Sequence, residues 1–215
     1  MKRMLLLFLI LAAGPATAGE LETVLSSYRK AEAVSMKFNK ASVNEIFGTE
    51  RTAAGKLMLR SGLMRMETEG AEKSLLIMDG KTIWFVQSMD NGGDSPSTVV
   101  NKGSAENLQK SNAVVAVLFD SRKLLKVFRI DKVEKVKVGK QSGARVFTLS
   151  PRKKNSSDVQ KLEISAKDRQ ILRVTFWDAR QNKTTYSFSE VDFKAKLSAN
   201  EFAYSPPKDA EVMEY

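Results

Sequence analysis

The spacing of apolar residues changes once near the start of the chain. Over residues 20–33 apolar side chains recur at helical spacing, which predicts an amphipathic helix. From Val34 onward apolar and polar residues alternate, as in strands with one buried face. The alternation predicts a run of about ten strand segments, at residues 34–40, 55–60, 63–68, 75–86 (a hairpin), 127–138, 145–150, 159–165, 171–177, 184–193 and 202–204.

Residues 105–125 interrupt this β pattern and predict one or two short helices. Consecutive hairpins form a meander, and no linker divides the chain. The prediction is therefore a mainly β (α+β) single domain. It has one large curved antiparallel sheet, an N-terminal helix and a mid-chain helical insertion.

The hairpin at residues 75–86 is apolar on both faces. Leu75 to Met78 lead into Asp79-Gly80, which predicts a two-residue turn, and Ile83 to Val86 lead out of it. An ordinary half-buried hairpin alternates apolar and polar residues. The sequence therefore requires a cover for each face.

A long antiparallel sheet curls as it twists, so its concave face must be filled or covered. The apolar strand residues predicted to face inward are Leu57, Leu59, Met64, Met66, Leu75, Ile77, Trp84, Val86, Phe147, Leu149, Leu162, Ile164, Leu172, Val174, Phe176, Tyr186 and Phe188. The helical segments would cover them through Leu21, Leu25, Val114 and Leu118. Two interpretations stay open: an ordinary core, or a lid over an apolar cavity that holds a hydrophobic ligand.

The first 18 residues predict a secretory signal peptide. Lys2 and Arg3 precede an apolar run over residues 4–13, and Ala16-Thr17-Ala18 forms a small-x-small cleavage site. Cleavage would leave residues 19–215 as one domain. The chain has no cysteine, which excludes disulfides and lipid attachment and fits a protein of the bacterial periplasm.

Charge and composition narrow the function further. The chain carries 35 basic and 25 acidic residues, for a formal net charge of +10, and this attracts anionic partners. The predicted export signal argues against a nucleic-acid partner. The basic segment at residues 132–140 is either a solvated strand face or a contact for anionic headgroups.

With no histidine and no cysteine, the usual nucleophilic and zinc sites are excluded, and the loop at residues 90–94 lacks calcium-site spacing. The prediction is a non-enzyme without metal or cofactor.

Four local strings resemble those of one known family. They are Gly55-Lys56-Leu57, the Asp-Gly-Lys-Thr-x-Trp-Phe string at residues 79–85, Phe-Thr-Leu-Ser-Pro at residues 147–151, and Phe-x-Tyr-x-Pro-Pro-Lys at residues 202–208. Together they resemble the periplasmic outer-membrane lipoprotein carrier family (LolA) over essentially the whole mature chain.

The resemblance implies an incomplete β-barrel with a helical lid around an apolar cavity. It implies a monomeric periplasmic chaperone that takes acylated lipoproteins from an inner-membrane ABC transporter to an outer-membrane receptor. In the family an arginine followed by proline latches the lid through backbone carbonyls. Arg60 stands nearest that position, but Ser61-Gly62 follow it.

Two other functions remain open from the sequence. The same scaffold could carry another lipid, such as a glycolipid, or serve as a periplasmic sensor or interaction module. The altered segment after Arg60 and the basic surface, which also suits transient contact with a membrane, motivate the lipid alternative.

Overall fold

A computed structural model describes residues 15–70, 73–89, 97–104, 117–118, 121–139, 141–153, 157–208 and 210–214. The helices within these ranges are α1 (Pro15–Lys30), α2 (Ser121–Val127) and the 3-10 helix η1 (Ala199–Phe202). The first six strands are β1 (Ala33–Asn44), β2 (Thr49–Arg60), β3 (Leu63–Glu69), β4 (Ser74–Met78), β5 (Thr82–Met89) and β6 (Ser97–Ser104). The others are β7 (Phe128–Val138), β8 (Gln141–Pro151), β9 (Val159–Lys167), β10 (Gln170–Asp178), β11 (Lys183–Asp192) and β12 (Glu211–Glu214).

The described strands form one open sheet in the order β12-β6-β5-β4-β3-β2-β1-β11-β10-β9-β8-β7. It consists of two antiparallel meanders, β1 to β6 and β7 to β11, which join where β1 pairs with β11. The two edge strands, β12 and β7, are not neighbours, so the sheet does not close into a barrel. The predicted mainly β curved sheet is confirmed.

Strand register sorts the apolar residues onto two faces. Residues opposite each other in an antiparallel pair point to the same side. Leu57 lies opposite Met66, which lies opposite Leu76, and we call their side the inner face. Met58 lies opposite Arg65, which lies opposite Ile77, on the outer face.

The inner face is covered by helices. One hydrophobic cluster contains the inner-face residues of both meanders together with Leu21, Val24, Leu25 and Tyr28 of α1. Val117, Leu118 and Leu124 of the mid-chain segment, and Phe128, belong to the same cluster. The main core therefore lies between the sheet and these helices. No helix of the described ranges has the length and apolar character needed to cross a bilayer.

The outer face of β3 to β5 is covered by the C-terminal strap, which we define as residues 198–208. A guanidinium N–H of Arg65 donates to the backbone oxygen of Glu201 over 3.0 Å, and Phe202 is 1% exposed. Farther along, the rings of Tyr204 and Trp84 lie 5.6 Å apart between centroids. The chain then reaches the far edge, where β12 pairs in parallel with β6. The strap therefore provides the second cover that the doubly apolar hairpin requires.

Several boundaries differ from the sequence prediction. Helix α1 spans Pro15–Lys30 rather than residues 20–33, and residues 202–204 are not a strand. The backbone N–H of Asp79 donates to Thr82 oxygen over 3.2 Å, so the turn centres on Gly80-Lys81 rather than Asp79-Gly80. A two-residue hairpin turn needs a residue that tolerates positive φ, and Gly80 meets this need with a φ of +94°. Residues 1–14 of the predicted signal peptide, and residues 105–116 of the predicted lid, lie outside the described residues.

Gly55 has a steric reason to be glycine. A Cβ at this position would lie 1.9 Å from the backbone oxygen of Glu67 and 2.6 Å from Cζ of Phe38. The Phe38 ring therefore packs directly over Gly55, which is its partner across β1 and β2. The Gly-Lys-Leu string marks the place where an aromatic side chain needs room beside the next strand.

We predict that Gly55→Ala destabilises the protein by at least about 2 kcal/mol, because the backbone oxygen of Glu67 cannot move without breaking the pairing of β2 with β3. Urea unfolding followed by circular dichroism measures the change. Gly48→Ala is the control, since nothing lies within 4 Å of that site and only its φ of +62° opposes a side chain. Equal losses in the two variants would contradict the steric explanation.

Candidate functional site

The inner face brings together most of the residues predicted to line an apolar site. They are almost fully buried beneath the helices, and they come from six strands of the two meanders. The members are Leu57, Leu59, Met64, Met66, Phe147, Leu149, Leu162, Ile164, Val174, Tyr186 and Phe188, with Phe176 packed at the edge of the cluster. Their clustering makes a continuous apolar surface that the helices cover.

Five predicted residues are not part of this surface. Leu75, Ile77, Trp84 and Val86 lie on the outer face, because Ile77 and Trp84 pair with each other in register with Arg65. The hairpin is apolar on both faces, so the alternation of apolar and polar residues could not show which face points inward. The sequence prediction therefore placed these four residues on the inner face. Leu172 lies at a register shift between Ile171 and Arg173, half-buried and outside the cluster.

The sequence prediction also missed inner-face residues. The hairpin contributes Leu76, Met78 and Ile83, whose positions alternate with those chosen. Strand β1 contributes Val34, Met36 and Phe38. The signal that would have found the hairpin residues is cross-strand pairing, since Leu76 lies opposite Met66 and Met78 lies opposite Met64.

Helix α1 is tied to the sheet through Tyr28. The backbone N–H of Ile171 donates to the Tyr28 hydroxyl over 2.8 Å, and the Tyr28 ring contacts Phe193 edge-on with 5.0 Å between centroids. Burial raises the pKa of Tyr28 to about 12, although the bond from Ile171 opposes this. At its other end, α1 pairs Glu20 with Arg145 over 3.1 Å. The helix is thus held at both ends.

Helix α2 is tied to the sheet through Arg152. The Nε–H of Arg152 lies 3.1 Å from the backbone oxygens of both Leu125 and Phe128, and its backbone N–H donates to Val127 oxygen over 2.8 Å. The last carbonyls of a helix lack partners within it. Arg152 supplies donors there, and its positive charge suits the C-terminal end of the helix.

The residues predicted to form and hold the lid are placed differently from one another. Leu21, Leu25 and Leu118 are buried in the cluster, whereas Val114 lies outside the described residues. Arg60 lies opposite Ala33 and Leu63 in register with the outer face. Among the described residues we find no hydrogen bond from its side chain to a lid carbonyl.

Comparison with known proteins gives the family. The model of the family described as "Outer membrane lipoprotein carrier protein LolA" matches residues 29–205, from the end of α1 to the strap. The chain belongs to this family. The match includes both meanders of the sheet and the α2 segment, so it spans the inner face and the α2 part of its cover, while α1 lies almost wholly before the matched residues.

Members of the LolA family from other bacteria align along nearly the whole chain. An outer-membrane lipoprotein carrier protein from Chromobacterium violaceum is 24% identical over 202 residues, covering 94% of this chain and 90% of that protein. One from Neisseria meningitidis is 23% identical over 206 residues, covering 95% and 92%. The crystal structure of an uncharacterized conserved protein from Thermus thermophilus shares the fold, with a TM-score of 0.53 and 13% identity over 93% of this chain and 99% of that one.

We predict that Tyr28→Phe destabilises the protein by about 1 to 2 kcal/mol, because the buried N–H of Ile171 loses its acceptor. Tyr204→Phe is the matched control: the Tyr204 hydroxyl is also buried but has no partner in the described part of the chain, so its loss should cost little. Urea unfolding at pH 7 compares the two variants.

The same residue predicts a dependence on pH. The folded state keeps the Tyr28 proton up to about pH 12, whereas an unfolded tyrosine loses it near pH 10. The stabilising contribution is complete below pH 10 and is lost as the pH rises toward 12. Tyr28→Phe should therefore lose less stability than the parent chain over this interval, and an equal loss would contradict the assignment.

We predict that Arg152→Ala raises the binding of an apolar fluorescent dye about fivefold, because losing about 1 kcal/mol of contact at the end of α2 exposes the inner face more often. Dye titration measures this. Arg60→Ala should leave dye binding unchanged, since its register places it on the outer face. The opposite result, with Arg60→Ala raising binding and Arg152→Ala leaving it unchanged, would assign the latch to Arg60.

Proposed function

We propose that this protein is a periplasmic lipoprotein carrier that holds the acyl chains of a lipoprotein against the inner face. The observation that carries the proposal is the continuous apolar surface of the inner face, which α1 and the seven-residue α2 cover. Membership of the LolA family supports it, as do relatives named outer-membrane lipoprotein carrier proteins.

Cargo binding and helix packing would compete for the same surface. Apolar area removed from water contributes about 25 cal/mol per Å², whether a helix or an acyl chain covers it. An acyl chain that displaces Leu118 and Leu124 from the cluster therefore replaces one apolar cover by another. The net free energy of loading is a small difference between two large terms, which makes both uptake and release possible without an energy source in the carrier.

The transport route extends the proposal. Cargo would come from an inner-membrane lipoprotein-releasing ABC transporter and pass to an outer-membrane lipoprotein receptor. The predicted signal peptide supports a periplasmic location. The absence of histidine and cysteine supports a carrier rather than an enzyme.

The decisive experiment is lipoprotein release from spheroplasts. The chain from Gly19 to Tyr215 is added to spheroplasts that synthesise labelled lipoproteins, and the soluble fraction is tested for a complex. We predict stoichiometric release by the parent chain and a loss of at least tenfold for Leu59→Gln, because a buried amide on the inner face opposes acyl contact.

Met58→Gln is a closely matched control. Leu59 and Met58 are adjacent in β2 and are 6% and 4% exposed, but they lie on opposite faces. Both variants should lose similar stability, and only Leu59→Gln should lose release. Equal loss of release at equal stability would move the acyl site away from the inner face. No release by the parent chain, while the spheroplasts respond to their own carrier, would contradict the proposal.

A further inference from the structure

The tip of the β1–β2 hairpin exposes two large apolar side chains. Ile46 is 71% exposed and Phe47 is 76% exposed, far more than the other exposed large hydrophobic residues of the described chain. Scattered apolar residues on a surface need no explanation. Two adjacent ones at the end of a hairpin form a compact apolar tip, which is a candidate interaction surface.

The local backbone holds this tip in one conformation. The side-chain oxygen of Asn44 accepts the N–H groups of Ile46 and Phe47 over 3.1 and 3.0 Å. The N–H of Gly48 donates to the Asn44 backbone oxygen over 2.8 Å, and Gly48 takes the positive φ of +62° that closes the turn. Because Asn44 and Gly48 fix the turn, Ile46 and Phe47 are not needed for the fold and lose little freedom on binding.

The tip projects beyond β3 and lies level with the end of β11. Strand β3 pairs with β2 only as far as Ala54, so residues 49–53 extend past it. At about 3.3 Å per residue, this part of β2 extends on the order of 15 Å past β3. On the other side, β11 runs beside β1 as far as Val43, which lies opposite Lys183. The tip can therefore enter a soft surface before β3 touches it, together with the end of β11.

Beside the tip lies an aromatic residue between two lysines. Register places Val43, Lys183, Trp177 and Lys161 in one row across β1, β11, β10 and β9, on the outer face. The Nζ atoms of Lys161 and Lys183 lie 4.3 and 5.7 Å from the Trp177 ring centroid. Lys161 also pairs with Glu163 over 2.8 Å.

This combination fits the interface of a membrane. Tryptophan is enriched at the level of lipid headgroups, and lysine extends its ammonium toward phosphates while its stem stays on apolar surface. Exposed Glu45 and Glu50 flank the tip itself, so attraction to anionic lipid would come from the lysine–tryptophan row and from the net charge, which is +8 once Lys2 and Arg3 leave with the signal peptide. A bilayer needs no shape complementary to the tip, whereas a protein partner needs a matching pocket.

We propose that the β1–β2 tip and the row at Trp177 form a membrane-attachment surface, with Ile46 and Phe47 inserting shallowly into an anionic bilayer. Two apolar side chains and a few charges give weak, reversible attachment, unlike a lipid anchor or a spanning helix. The surface would bring the protein to a membrane whether or not cargo is bound, and it does not rest on the proposed acyl site.

The test is co-sedimentation with vesicles and no lipoprotein. The chain from Gly19 to Tyr215 is mixed with vesicles of phosphatidylethanolamine and phosphatidylglycerol, and separately with phosphatidylcholine vesicles. We expect binding to the anionic vesicles that falls as salt is added. Ile46→Ser with Phe47→Ser should lower the partition coefficient about tenfold. Lys161→Gln with Lys183→Gln should remove most of the preference for anionic lipid.

The C-terminal strand offers a matched control. Val212 and Met213 on β12 are 42% and 43% exposed, and Val212→Ser with Met213→Ser should leave vesicle binding unchanged. Lipids brominated near the headgroup end of the acyl chain should quench the tryptophan fluorescence of a Phe47→Trp variant more strongly than that of the parent chain, which already carries Trp84 and Trp177. Absence of binding to anionic vesicles, or binding that the Ile46 and Phe47 variant leaves unchanged, would overturn the proposal. Because no cargo is present, failure here is distinguishable from failure of the carrier function.

Discussion

A sheet with two apolar faces needs a cover on each side, and this requirement organises the whole fold. The need is greatest at β3 to β5, where Met66 and Leu76 point inward while Ile77 and Trp84 point outward. The outward side is covered by the strap, which leaves β11 and returns to the opposite edge as β12. The strap lies only on the outer face, and the helices cover only the inner face.

The two covers differ in how firmly they are held. The strap carries the fully buried Phe202, an arginine hydrogen bond to Glu201 and a strand at its end. The mid-chain cover consists of the short helix α2 and the buried pair Val117 and Leu118. A helix of seven residues has little stability of its own, so it depends on the apolar contacts that an acyl chain would replace. The asymmetry fits the proposed function, in which an acyl chain displaces the mid-chain cover while the outer side stays folded.

The sequence predicted the class of fold and most elements because alternation over long strands is a strong local signal. It did not give β6 or β12, since Thr98 to Val100 make only a short apolar run and all of β12 is exposed. It also assigned four residues to the wrong face, namely Leu75, Ile77, Trp84 and Val86. In a hairpin that is apolar on both faces, no alternation of apolar and polar residues distinguishes the inward face from the outward one. Only pairing with β3 decides which side faces inward, and pairing is a long-range property. The Arg152 contact with α2 was missed for the same reason, since Arg152 lies 27 positions along the chain from Leu125, whose carbonyl it contacts.

The strings that mark the family in this sequence describe its scaffold rather than its cargo. The Asp-Gly-Lys-Thr-x-Trp-Phe string forms the turn at Gly80 and presents Trp84 on the outer face, where it meets Tyr204 of the Phe-x-Tyr-x-Pro-Pro-Lys string. Gly55 makes room for Phe38. These contacts fasten the strap and align the strands, and none of them needs a ligand. The surface that would touch cargo includes flexible methionines such as Met64 and Met66, which adapt to apolar shapes of many kinds. A firmly specified outer side and a permissive inner side fit the proposed carrier function.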